Sequence, residues 1–230
     1  MTAITPPPPA NKFENKRFYY YATPLRRLVT AAISVLFPLF GKLRTEEVQN
    51  LPTNGPVVLF ANHLSSYDVF PMQLAIPRPI FFMAKEELFH NPFMDIVIRQ
   101  LGAFPVQRGA RDEQALRYSL QVLAKGQVLG IFPEGTRSRG QGLQPGKTGA
   151  ARLAIMAHCP VVLMAVDGTQ NMFAKFPRRI PVKISLSPPV YPRPDESPLD
   201  FTDRLMFTLA RMLPFELRGV YTIHPKGFRG

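Results

Sequence analysis

Val57-Val58-Leu59-Phe60-Ala61-Asn62-His63-Leu64-Ser65-Ser66-Tyr67-Asp68 decides the fold. Its first five residues are an unbroken apolar run of strand length. A strand with no polar alternation is buried on both faces, which is the situation of a central strand in an α/β sheet. The run stops at a polar turn, and Ser66–Ala75 reads as the helix that follows. The same strand-then-helix alternation extends outward. Pro79–Ala84, Phe104–Val106, Val128–Phe132 and Val161–Val166 read as further strands, with Ile180–Leu186 pairing nearby. Phe93–Leu101, Arg111–Lys125, Lys147–His158 and Leu199–Leu213 read as helices. Arg111–Lys125 is the clearest of these: Leu116, Leu120, Leu123 and Ala124 recur at helical spacing, and Gly126 stops it. The expected class is α/β, a mostly parallel or mixed central sheet flanked by helices.

The chain has 230 residues, 46% of them apolar, enough for one domain with a substantial core. The expected layout is a Pro-rich tail over 1–10, a membrane-associating helical region over 11–46, an α/β domain over 47–215 and a basic tail over 216–230. Within the second region Leu28–Phe40 is nearly all apolar, preceded by Arg26 and Arg27 and followed by Lys42 and Arg44. It falls short of the roughly 20 residues that cross a bilayer. It reads as a helix lying in one leaflet, its arginines at the headgroups, or alternatively as a helix packed on the domain. A net charge of +12 favours anionic partners. Membrane lipids suit the scattered basic residues better than nucleic acid does, since no Lys/Arg run or reading module is present. The single cysteine, Cys159, excludes an internal disulfide and reads as a small core residue. No Cys/His cluster has metal-ligand spacing, so no metal is expected.

Three segments carry chemistry. His63 and Asp68 follow the first strand directly, where ligands bind in open α/β sheets. Histidine is the natural general base near neutral pH, and a carboxylate fixes its tautomer. Five residues apart on one helix the two would point about 140° apart. His63 is therefore expected in the turn, with Asp68 reaching back from the first helical turn. Phe132-Pro133-Glu134-Gly135-Thr136-Arg137-Ser138 follows a second buried strand. There Glu134 and Arg137 can pair, Arg137 offers a donor fork for phosphate, and Gly135 permits close backbone approach. Gly102-Ala103-Phe104-Pro105-Val106-Gln107-Arg108 ends in an arginine that can face the same cleft. Each segment alone also reads as an ordinary turn or a surface charge.

Together, in this order, they resemble the glycerolipid acyltransferases of the 1-acyl-sn-glycerol-3-phosphate acyltransferase family. Asn62, His63 and Asp68 match its NHxxxxD block, Gly102–Arg108 its second block, and Phe132–Ser138 its FPEGTRS block residue for residue. Pro160 beside Val161 and Val162 resembles the fourth, and Lys85 and Lys147 fall at basic positions. Leu143-Gln144-Pro145-Gly146-Lys147 departs from the family's aromatic-plus-basic lead-in. The resemblance implies His63 as general base and Asp68 as its orienting partner. It implies Arg108, Glu134, Gly135, Thr136 and Arg137 as the acceptor-phosphate site, with Asn62, Lys85, Gly102 and Lys147 in support. It implies an acyl-CoA or acyl-carrier-protein co-substrate, lysophosphatidic acid or a related acceptor, and no cofactor. A phosphate loop ending in Gly146-Lys147-Thr148 is the rival reading, and it fails because Gln141 stands where glycine is required. A lipid-binding protein without catalysis is the other rival, and the intact His63/Asp68 pair argues against it.

Overall fold

The computed structural model describes residues 23–106, 113–173 and 177–223. Seven strands form one sheet: β1 (Gly41–Glu46), β2 (Val57–Ala61), β3 (Ile80–Lys85), β4 (Ala103–Val106), β5 (Val128–Ile131), β6 (Val161–Asp167) and β7 (Ile180–Leu186). Their spatial order is β1-β7-β6-β2-β5-β3-β4. Only the β6–β7 pairing is antiparallel, so the sheet is mixed. The helices are α1 (Pro24–Leu36), α2 (Val69–Ala75), α3 (Pro92–Gln100), α4 (Glu113–Ala124), α5 (Gly149–Met156) and α6 (Pro198–Met212).

β2 lies in the middle of the sheet, and all five of its side chains are fully buried. Val58 and Phe60 face one core with residues of α4, α5 and α6. Val57, Leu59 and Ala61 face the other, with Met72 and Ala75 of α2. Successive strand residues point to opposite faces, so an all-apolar strand demands cover on both. Because β2, β5 and β6 run parallel, the loops that leave them gather at one end of the sheet.

The N-terminal part differs from expectation. Gly41–Glu46 is an edge strand paired with β7, so the sheet begins inside the stretch read as a helical region. The preceding helix turns an unusual face inward. Arg26, Ile33 and Phe37 lie against the protein, while Leu25, Leu28, Val35, Leu36 and Leu39 are exposed. Arg26 is therefore not at a headgroup position. It is buried, its Nη2 donates to Ile80 O at 3.1 Å and to Gln73 Oε1 at 3.4 Å, and its guanidinium lies over the Phe81 ring. Burial pulls its pKa down to about 10. The residue sits one turn below Thr30, whose hydroxyl donates to Arg26 O, so the face of α1 that docks mixes polar Arg26 and Thr30 with apolar Ile33. Among the described residues no helix is long and apolar enough to cross a membrane.

At the C-terminal end, residues 216–221 are not a free tail. Leu217 is buried in the first core, and Tyr221 packs against it. Residues 224–230 lie outside the described residues, as do 1–22.

Candidate active site

The site is built where β2 and β5 end. Asn62 leaves β2 and behaves as one more rung of the ladder. Its Nδ2 donates to Val166 O and its Oδ1 accepts from Val166 N, both at 2.8 Å. Residues 63–67 then form a turn, and α2 starts only at Val69, with Asp68 as its N-cap. The Asp68 side chain does not cap the helix. It points back into the turn and is fully buried. Its carboxylate accepts from His63 Nδ1 at 2.7 Å, Leu64 N at 2.8 Å, Ser65 N at 3.0 Å, Ser65 Oγ at 3.1 Å, and the Thr169 hydroxyl. A buried carboxylate needs this many donors to offset its lost hydration. An acceptor-only partner on Nδ1 puts the ring proton there and leaves Nε2 as the free lone pair.

The imidazole is positioned from the other side by Phe132. The two rings stack with centroids 4.0 Å apart, and Phe132 stacks in turn on Phe82. Backbone bonds then join the two loops: Ser138 N donates to His63 O at 2.8 Å and Arg139 N to Leu64 O at 3.1 Å.

Glu134 corrects an expectation. Its carboxylate does not pair with Arg137. It is buried, Oε1 accepts from His63 N at 2.8 Å, and Oε2 accepts from Gln144 N at 3.0 Å. Burial pushes its pKa above the usual carboxylate range, against the pull of those two N–H groups. Through these two bonds it ties the 142–147 loop to the histidine turn. Arg137 is exposed and donates to Ser66 Oγ, which places its guanidinium beside the turn that holds His63. Thr136 is exposed next to it. Gly135 has φ +67°, and a Cβ there would lie 2.9 Å from Lys147 Nζ. Lys147 is thus brought to this mouth despite its unusual lead-in sequence.

Of the remaining expected positions, one falls elsewhere, one lies a strand further along the same end of the sheet, and one lies outside the described residues. Gly102 is at the opposite end of the sheet, before β4. Its φ is +86°, and a Cβ there would lie 2.2 Å from Ile80 O, so glycine is required for close packing and not for chemistry. Lys85 ends β3 and is exposed; it lies at the same end of the sheet as the site, beside β5 and one strand further from β2. Arg108 lies outside the described residues. Sequence reading missed Thr169, Phe132 and Ser66 as parts of the site. Phe132 and Ser66 lie within the two motif segments. Thr169, 101 positions from Asp68, carried only the signal of following a strand and Gly168.

A family model described as Acyltransferase matches residues 42–167, more than half of the 230. The chain belongs to the acyltransferase family. The 1-acyl-sn-glycerol-3-phosphate acyltransferase of Bacillus subtilis is 32% identical over 141 residues, 61% of this chain and 70% of that protein. The Escherichia coli protein of the same name is 31% identical over 140 residues, 59% of this chain and 57% of that protein. The chain thus spans less than two thirds of the latter acyltransferase. The crystal structure of the 1-acyl-sn-glycerophosphate acyltransferase of Thermotoga maritima superposes with a TM-score of 0.66 at 24% identity, covering 82% of this chain and 78% of that one. That likeness shows a shared overall fold.

Proposed function

We propose that this acyltransferase moves a fatty acyl group from an acyl-CoA or acyl-carrier-protein thioester to the free hydroxyl of 1-acyl-glycerol-3-phosphate, giving phosphatidic acid. The observation that carries the reading is the His63–Asp68 contact at 2.7 Å, with the carboxylate fully buried and the imidazole at the mouth. As the acceptor oxygen attacks the thioester carbonyl, its proton passes to His63 Nε2. When the tetrahedral intermediate collapses, the C–S bond breaks and the same proton passes to the leaving thiolate. Asp68 holds the tautomer and offsets the positive charge between the two transfers. Arg137 and Lys147 supply positive charge for the acceptor phosphate, and the relatives' names supply the choice of acceptor.

Both substrates carry long apolar chains, so the reaction belongs at a bilayer surface. The exposed Leu25, Leu28, Val35, Leu36 and Leu39 support attachment to one leaflet. The 13-residue α1 is about 20 Å long, less than the roughly 30 Å hydrocarbon core. The decisive assay is acyl transfer by purified protein and by His63→Ala, with both donors. The variant is expected to lose about 10²- to 10⁴-fold in kcat while remaining folded. Near-normal turnover by that variant would remove His63 from the mechanism.

A further inference from the structure

The loop Leu143–Lys147 has a partner on each side. Towards the site, Gln144 N donates to Glu134 Oε2, Lys147 N donates to Pro133 O at 2.9 Å, and Lys147 Nζ rests on Gly135. Away from the site, the segment after α6 grips the same strip. Leu143 N donates to Leu217 O at 3.0 Å, and Val220 N donates to Leu143 O at 3.2 Å. Gly146 N donates to Tyr221 Oη at 2.8 Å. The two backbones touch: Gly142 and Gly219 both have positive φ, and a Cβ on Gly219 would lie 2.1 Å from Leu143 O. The Tyr221 ring is itself held edge-on against Phe207 at 5.0 Å. None of residues 214–221 falls within the span matched to the family, 42–167.

Gly146 is the residue before Lys147, and the strip has no regular secondary structure of its own. A glycine at that point leaves the backbone loose unless something else fixes it. We propose that Tyr221 is a positioning residue for the acyl acceptor: by holding Gly146 it sets Lys147 beside Gly135, where the ammonium meets the acceptor phosphate. The assignment rests on the function proposed above. It makes the C-terminal segment part of the binding apparatus, 75 residues away in sequence from the loop it holds.

The test compares wild type, Tyr221→Phe, Lys147→Ala and the double variant. The measurements are acyl transfer to 1-acyl-glycerol-3-phosphate and amine labelling of each protein, mapped by mass spectrometry. Phenylalanine keeps the ring against Phe207 and removes only the acceptor oxygen. Tyr221→Phe is expected to raise the acceptor KM about threefold to tenfold, the range for one hydrogen bond, with kcat within about twofold. In the Lys147→Ala background the same change should add less than about twofold, because its target is gone. Lys147 should label faster in Tyr221→Phe, while Lys85 and Lys125 label at the wild-type rate. Additive effects on KM, or unaltered Lys147 labelling, would overturn the assignment. His63→Ala in the same series separates the two ideas. An active His63→Ala defeats the mechanism, whereas the labelling result bears on Tyr221 whether or not turnover is seen.

Discussion

Glu134→Gln separates two roles for the acid of the FPEGTRS loop. The carboxylate spends one oxygen on each of two backbone N–H groups, those of His63 and Gln144. Glutamine is nearly the same size but keeps one acceptor oxygen and turns the other position into a donor. One buried N–H then faces an NH₂ and goes unsatisfied, at a cost of about 1–3 kcal/mol. Removing the desolvated charge recovers part of what burial costs, so the lower half of that range is the better expectation. For a chain of this size the melting temperature should fall by roughly 2–8 °C. The pH dependence has a definite sign. Burial raises the Glu134 pKa in the folded state. Protonation therefore favours folding, a contribution fully present below the unfolded carboxyl pKa and lost as pH rises through the folded one. Wild type should gain on the variant as pH is lowered from 7 toward the carboxyl range. The assays are thermal melts across that range and steady-state kinetics. Turnover should drop, because the N–H released is that of His63 or of the loop beside it, and any rise in acceptor KM should come together with the fall in melting temperature, since the Gln144 loop carries Lys147. An unchanged melt with a several-fold rise in acceptor KM would refute the reasoning and return Glu134 to the headgroup site.

Two further outcomes follow from burial. Arg26→Met should bind anionic vesicles as wild type does, measured by co-sedimentation, because the guanidinium is docked on Ile80 O and Gln73. A loss of about fivefold, the value of roughly 1 kcal/mol for a basic residue at a charged membrane, would place it back at the surface. Cys159 is 1% exposed, and burial pushes its thiol up to about 11. Ellman's reagent at pH 8 should modify it at least about tenfold more slowly in the native protein than in urea, and equal rates would contradict the packing.

The parts of this fold that were legible in the sequence are those where one local pattern decides the environment. β2, β5 and β6 are unbroken apolar runs, and each lies in the interior of the sheet. The His63–Asp68 geometry was legible because five-residue spacing excludes a shared helix face, which forces the histidine into the turn. β1 was not legible. Gly-Lys-Leu-Arg-Thr-Glu has the alternation of an edge strand, with Leu43 turned to the core, but four of its six residues are polar or charged. An edge strand owes its position to its partner's hydrogen bonds more than to its own burial. α1 misled for a related reason. An apolar run flanked by arginines gives no hint that Arg26 is the buried member, since that depends on carbonyl acceptors supplied by Ile80, 54 residues away.

The same distinction explains the site. Residue types at motif positions name the chemical groups, but not which of them face the substrate. Glu134 and Arg137 sit three apart with opposite charges, and on a short loop an ion pair is the default expectation. The pair does not form because two backbone N–H groups, from chain segments 71 and 10 residues away, reach Glu134 first. With the acid sequestered, Arg137 stays exposed beside the turn, donating to the Ser66 hydroxyl. A neutralised arginine would bind phosphate weakly, and a solvent-exposed acid beside it would repel the ligand. Burying Glu134 removes both obstacles at the cost of a desolvated carboxylate, and that cost is offset by the bonds that fix the His63 turn in place.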